Sequence, residues 1–261
     1  MSSLVTTEGI VHYELDGRGN PVVLLHGWLN SWDVWRNTML ALSDEKRYRI
    51  YALDFWGWGE SIKNAGQQFS LSSYASMVVQ FMEALGVSRA PIIGHSMGGT
   101  VALTVALDYP EKVQKVAVVG SPIVGKSLNR LLNLAGRERI ARLIWRVPHV
   151  LELVTWWVLA RDGAETYKMI RRDVSRTTME AFFQSINDLG RVDLRPRLGE
   201  IHIPVWGIFG KWDNIVNPNQ AGVMGEGIPH ATIQVLQHSR HFPMCDQPEV
   251  FLDILSRFLA A

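Results

Sequence analysis

Ala90-Pro91-Ile92-Ile93-Gly94-His95-Ser96-Met97-Gly98-Gly99 is the stretch from which the rest of the chain is read. A short apolar run leads into a G-x-S-x-G pattern, and Val101, Ala102, Val105 and Ala106 follow at helical spacing before Pro110. A continuous apolar run predicts a strand buried on both faces, and the spacing after it predicts a helix. Ser96 then sits on a sharp strand-to-helix turn, flanked by small residues because neighbouring chains pass close by. Such a turn lifts the hydroxyl clear of the sheet and sets it at a helix N-terminus, where backbone N–H groups stabilise negative charge. The plainer reading is a glycine-rich helix start with an incidental serine.

Similar apolar runs recur on both sides of this stretch. Val22–Leu25 ends at His26-Gly27, and Arg49–Leu53 ends at Asp54. Val116–Val119, Val205–Phe209 and Thr232–Leu236 follow. Between them, Tyr74, Val78, Phe81, Met82 and Leu85 mark one helical face, and Val250, Phe251, Ile254, Leu255 and Phe258 mark another behind Pro248. This alternation predicts an α/β fold with a mostly parallel sheet and helices on both faces. A first strand near Ile10–Leu15 is expected to be antiparallel, because Asp16–Pro21 is too short for a crossover.

The alternation stops between Pro122 and Asp193. Helical patterns recur there at Leu128, Leu131 and Leu132, at Ile140, Leu143 and Ile144, at Val154, Trp157 and Val158, and at Phe182, Phe183 and Ile186. The expected organisation is a core from 1–121 and 194–261, with 122–193 inserted between two strands as a helical cap.

The composition narrows the function classes. The 261 residues are 47% hydrophobic and 20% charged, with a net charge of +1. That is ordinary for a globular chain and supplies no basic field for nucleic acid. Cys245 is the sole cysteine, so neither an internal disulfide nor a zinc site built on cysteines is available. No secretory signal and no membrane span are visible, and a cytoplasmic location is expected.

A serine hydroxyl needs a base. His241, after the last predicted strand and before the last helix, is the best placed of eight histidines, with His238 as its rival. His149 falls inside the cap, His12 and His202 lie in or beside sheet elements, and His26 and His95 read as packing or hydrogen-bonding residues. The base in turn needs an orienting carboxylate. Asp213 follows the strand ending at Phe209, while Asp54 and Asp246 are the alternatives. Asp54 belongs to Asp54-Phe55-Trp56-Gly57-Trp58-Gly59-Glu60-Ser61, which looks like a loop-fixing turn. The backbone N–H groups of Trp28, just after Gly27, and of Met97 would form a two-donor oxyanion hole.

Taken together, His26-Gly27-Trp28, Asp54–Ser61, Gly94–Gly99, and Asp213 with His241 resemble the α/β-hydrolase superfamily over nearly the whole chain. The order Ser96, Asp213, His241 is the one that family uses. The nearest likeness is to small bacterial carboxylesterases of the pimeloyl-carrier-protein methyl ester esterase and monoacylglycerol lipase types. The resemblance implies a hydrolase needing no cofactor and no metal, acting on a small-molecule ester through an acyl-enzyme on Ser96. Other acyl or carbon–carbon hydrolysis on the same triad, or a small-molecule receptor on a hydrolase scaffold, are the competing readings. Haloalkane dehalogenases and epoxide hydrolases carry aspartate where this chain has Ser96. Family members often have glycine before the histidine, whereas here it is Arg240, at the expected rim of the site.

Ten tryptophans stand out. Trp28, Trp32, Trp35, Trp56 and Trp58 follow the first two buried strands, Trp206 and Trp212 flank the acid loop, and Trp145, Trp156 and Trp157 lie in the cap. They read either as loop packing or as the wall of an apolar cleft, to which Trp28, Trp145, Trp156, Trp157, Phe182, Phe183 and Phe242 would contribute. In the second reading the cap sets chain-length preference and performs no chemistry. Residues 122–190 carry 11 Lys/Arg against 7 Asp/Glu. That excess reads as solvated helix faces, or as an attraction for an anionic substrate or an acyl carrier protein.

Overall fold

The computed structural model describes residues 2–64, 66, 68–129, 132 and 164–261. Their strands are β1 (Ser2–Val5), β2 (Gly9–Gly17), β3 (Asn20–Leu25), β4 (Tyr48–Leu53), β5 (Ile62–Lys63), β6 (Ala90–His95), β7 (Val113–Val119), β8 (Val205–Gly210) and β9 (Thr232–Leu236). They form one sheet in the order β1-β2-β4-β3-β6-β7-β8-β9, with β5 beside β2. From β4 to β9 every pairing is parallel. At the other edge β1, β2, β4 and β5 pair antiparallel.

The six apolar runs are the parallel strands, and β6 is buried at every position. β2 is antiparallel, as the short turn predicts, but its partner is β4 and not the strand that follows the turn. The turn therefore passes over the start of β4. Gly17 and Gly19 both have positive φ, and a Cβ on either would run into the carbonyls of Tyr48 and Arg47.

Helices cover both faces of the sheet. Leu71–Ala84 starts at a reciprocal Ser70/Ser73 capping box and buries Tyr74, Val78, Phe81 and Met82, the face that its spacing predicts. It packs on Met97–Asp108, which is buried from Met97 to Leu107. Arg36–Asp44 packs on the terminal helix Pro248–Ala260. Between β7 and β8 the described residues include the helices Ala164–Val174 and Met179–Leu189, the latter capped by the Thr178 side chain. Leu131, Ile140, Leu143, Ile144, Val154, Trp157 and Val158 lie outside the described residues, as do His149, Trp145 and Trp156. Among the described residues no helix is long and apolar enough to cross a membrane.

Candidate active site

Ser96 occupies the junction of β6 and the helix Met97–Asp108 with φ +52° and ψ −121°. A non-glycine residue in that region stores about 1–3 kcal/mol and persists only where its surroundings over-determine it. Here they do. The Ser96 N–H donates to Val119 O of β7 at 2.8 Å, and Ser96 O accepts from Gly99 N at 3.0 Å. A Cβ on Gly98 would collide with the carbonyls of Leu25 and His26, so the helix start lies against the end of β3. Glycine at the flanks of this turn is a steric requirement.

The loop after β3 comes to the serine from the other side. A Cβ on Gly27 would stand 3.0 Å from Ser96 Cβ and 3.0 Å from His95 Nδ1. Gly27 O accepts from His26 Nδ1–H at 2.7 Å, while His26 Nε2 accepts from Phe55 N–H at 3.0 Å. The second bond assigns the His26 tautomer. Burial holds His26 below its usual pKa, so it is a neutral bracket for this loop. Because a trans peptide sets its C=O and N–H on opposite sides, fixing Gly27 O also fixes the direction of the Trp28 N–H. Met97 is the first helical residue, so its N–H has no acceptor within the helix.

His241 and Asp213 come from the loops after β9 and β8. His241 Nδ1 lies 2.8 Å from Asp213 Oδ2, and both side chains are buried. Asp213 Oδ1 accepts from Ile215 N–H at 2.8 Å and Val216 N–H at 2.9 Å. An acceptor-only carboxylate puts the proton on Nδ1 and leaves Nε2 as the basic nitrogen. Gly120, with φ +55°, packs against the pair, and a Cβ there would lie 3.4 Å from both Asp213 Oδ2 and His241 Nδ1. His95 Nε2–H donates to His241 O at 2.8 Å, tying the histidine loop to the residue beside the serine. Burial, reinforced by the nearby His241, holds His95 well below its usual pKa.

The alternatives are occupied elsewhere. His238 is exposed, and its backbone N–H donates to Gln247 Oε1 at 3.2 Å. Asp246 accepts from the Arg240 backbone at 2.6 Å, and burial pushes its carboxyl up. Asp54 binds the His12 ring at 2.8 Å and takes the N–H groups of Trp32 at 2.7 Å and Glu60 at 3.1 Å.

The aromatic residues divide. Trp28 is half-buried, its indole N–H donates to Phe182 O at 2.8 Å, and its ring centroid lies 4.7 Å from that of Phe182. Phe183 is half-buried, and Phe242 packs on both His95 and His241. Trp35, Trp56 and Trp58 are completely buried, which makes them packing. Trp206 packs on Phe258 of the terminal helix, and Trp212 is 62% exposed. Sequence reasoning missed Ser31 and Asp173. Asp173 Oδ2 accepts from Ser31 N–H at 2.9 Å and Ser31 Oγ–H at 2.8 Å.

Comparison with known proteins agrees with this architecture. A pimeloyl-[acyl-carrier protein] methyl ester esterase of Aliivibrio salmonicida is 26% identical over 258 residues, 95% of each chain. A hydrolase from Pseudomonas aeruginosa superposes with a TM-score of 0.87 at 21% identity, covering 100% of this chain and 98% of that one. A thermophilic esterase from Thermogutta terrifontis superposes with a TM-score of 0.86 at 22% identity, covering 99% and 97%. Residues 20–248 match the family described by the alpha/beta hydrolase fold, and with that match over most of its length the chain belongs to the α/β-hydrolase family.

Proposed function

We propose that the protein is a serine carboxylesterase acting on small to medium carboxylic esters. The observation that carries the reading is the buried Asp213–His241 bond, in a molecule whose Ser96 is held at positive φ beside Gly27. The Ser96 hydroxyl attacks the ester carbonyl carbon while His241 Nε2 takes its proton. The carbonyl oxygen becomes an oxyanion facing the N–H groups of Trp28 and Met97. Collapse breaks the C–O bond, and His241 returns the proton to the departing alcohol. Water then attacks the acyl-enzyme by the same route, releasing the acid and restoring Ser96. Asp213 holds the ring and stabilises its charged form.

Esterases among its relatives support the choice of bond. The ester of an acyl carrier protein, which some relatives' names specify, has less support from this chain. Arg172 is engaged by Asp33 and Asp173, and Arg176 lies 3.4 Å from Glu60, so part of the basic excess of the insertion holds it to the core.

Steady hydrolysis of p-nitrophenyl acetate and butyrate by the native chain, and its loss in Ser96→Ala, is the expected result. A single-turnover burst without steady release would favour the receptor reading. Undiminished turnover by Ser96→Ala would remove the serine mechanism.

A further inference from the structure

The backbone following Gly27 is held at four consecutive N–H groups. Asn30 N–H reaches Gly27 O at 3.3 Å, and Ser31 N–H reaches Asp173 Oδ2 at 2.9 Å. Trp32 N–H reaches Asp54 Oδ1 at 2.7 Å, and Asp33 N–H reaches Ser31 Oγ at 3.4 Å. Immediately before them Leu29 has φ +64°. Leucine has no preference for that region, so the loop needs external restraint to stay in it.

Two of the four acceptors are buried carboxylates from opposite sides. Asp54 comes from the end of β4 and is itself fixed by His12. Asp173 comes from Ala164–Val174, 142 residues along the chain from Ser31. Its Oδ2 accepts both the N–H and the hydroxyl of Ser31, while its Oδ1 accepts from Arg172 Nη2 at 2.9 Å. That same Arg172 nitrogen reaches Asp33 Oδ2 at 2.6 Å. One helix of the insertion therefore grips the loop on both sides of Trp32. The Asp173 side chain is buried, and burial pushes its carboxyl up, offset in part by Arg172 and Ser31.

The restrained loop begins at the peptide that bears the Trp28 N–H. Gly27 O, on the same peptide plane, is one of the anchored atoms. We propose that Asp173 is a positioning residue for oxyanion stabilisation, holding Ser31 so that the Trp28 N–H stays aimed at the oxygen of the tetrahedral intermediate. The insertion then contributes to the chemical step through the loop, separately from any effect on chain length. This rests on the serine esterase reading above, in which Trp28 supplies one donor.

The test uses the whole chain, p-nitrophenyl acetate as a substrate too short to need the cap, and trifluoromethyl ethyl ketone as a probe. That ketone adds Ser96 to give a tetrahedral hemiketal whose oxyanion draws on the same donors. Removing an oxyanion donor outright costs about 10²–10³ in kcat, and loosening one should cost less, roughly tenfold. Asp173→Ala should lower kcat by about that factor with KM little changed, and weaken the ketone in proportion. Asp173→Asn keeps an oxygen for Ser31 and should recover most of both. Arg176→Ala, which removes the Glu60 contact without touching the loop, should remain native.

Native kcat and native ketone inhibition in Asp173→Ala would overturn the proposal. So would a loss seen only in KM or Tm, or an equal loss in Arg176→Ala. Should Asp173→Ala not fold, Ser31→Ala removes the hydroxyl that donates to Asp173 and accepts from Asp33 N–H, keeps the Ser31 N–H arm, and should lower the same two readouts, and native values there would overturn it. An active Ser96→Ala would instead remove the serine reading beneath it.

Discussion

Trp28 and Phe182 are joined twice, by an indole N–H to carbonyl bond of 2.8 Å and by rings whose centroids are 4.7 Å apart. The residue that follows Gly27 is thus fastened by its side chain to the helix Met179–Leu189. Phe182 is 2% exposed, so Phe182→Ala should leave a cavity and cost about 3–5 kcal/mol, read by chemical denaturation. Phe183 is half-buried. Phe183→Ala should flatten the dependence of kcat/KM on acyl length, where each buried methylene is worth roughly 0.8 kcal/mol, while acetate turnover survives. A native chain-length profile in Phe183→Ala would exclude it from the wall.

Ser96→Ala and His241→Ala should each lower kcat for p-nitrophenyl esters by about 10⁶, leaving only background from the oxyanion donors. Asp213→Asn should cost about 10⁴, because its amide cannot accept from Nδ1–H and stabilise the charged ring while still accepting from Ile215 and Val216. If His238→Ala proves more harmful than His241→Ala, the base has been misassigned.

Two glycine substitutions should move stability in opposite directions. Gly98→Ala would drive a methyl group into the backbone carbonyls of Leu25 and His26, which cannot move without displacing β3. It should destabilise by about 4 kcal/mol or more. Gly222 is exposed inside Gln220–Gly227, and a Cβ there meets nothing within 4 Å. Gly222→Ala should stabilise by about 0.5–1 kcal/mol. Thermal and denaturant melts check both.

A pH-dependent term in stability is expected from His12. Its ring is buried, Nδ1 lies 2.8 Å from Asp54 Oδ2, and Nε2 lies 3.7 Å from Glu14 and 4.0 Å from Glu60. Burial alone would lower its pKa, but the Asp54 bond and the three carboxylate charges outweigh it, and the pKa rises above 6.5. The folded state therefore binds this proton more tightly than the unfolded chain. The stabilisation is complete below about pH 6.5 and fades as pH climbs through the raised folded value. Across about pH 6 to 9 the native chain should lose more stability than His12→Asn, measured by urea midpoints. Parallel curves would remove His12 as the source. His26 and His95, with pKa values lowered by burial, act in the opposite sense and are common to both chains.

The central sheet was legible because strands buried on both faces cannot conceal their composition. β1 and β5 were not. They are four and two residues long, and β1 alternates half-buried and exposed positions, so its pairing with β2 supplies what its residues do not announce. The path of β4 between β2 and β3 depends on Gly17 and Gly19 slipping past a backbone distant in sequence. His241 and Asp213 were readable as a pair because their residue types fall just past the ends of apolar runs. Asp173 was not, because Arg171-Arg172-Asp173 has the letters of a solvated helix face. Its burial against Ser31 is a tertiary fact without a local signature. Trp35, Trp56 and Trp58 fall to the packing reading of the tryptophans, because loops at the end of a sheet attract aromatics to fill space as readily as to bind a ligand.

The histidine loop is fastened to the sheet through a carbonyl. His95 Nε2–H holds His241 O, which belongs to the main chain and is indifferent to the side chain at that position. The mooring falls on the carbonyl and leaves the imidazole to Asp213. The imidazole can turn about the Cα–Cβ bond without unlatching the segment that carries it. A chain bearing asparagine or alanine at 241 should keep that segment docked and, on the esterase reading, give an inert receptacle in which an uncleaved ester can be captured and identified.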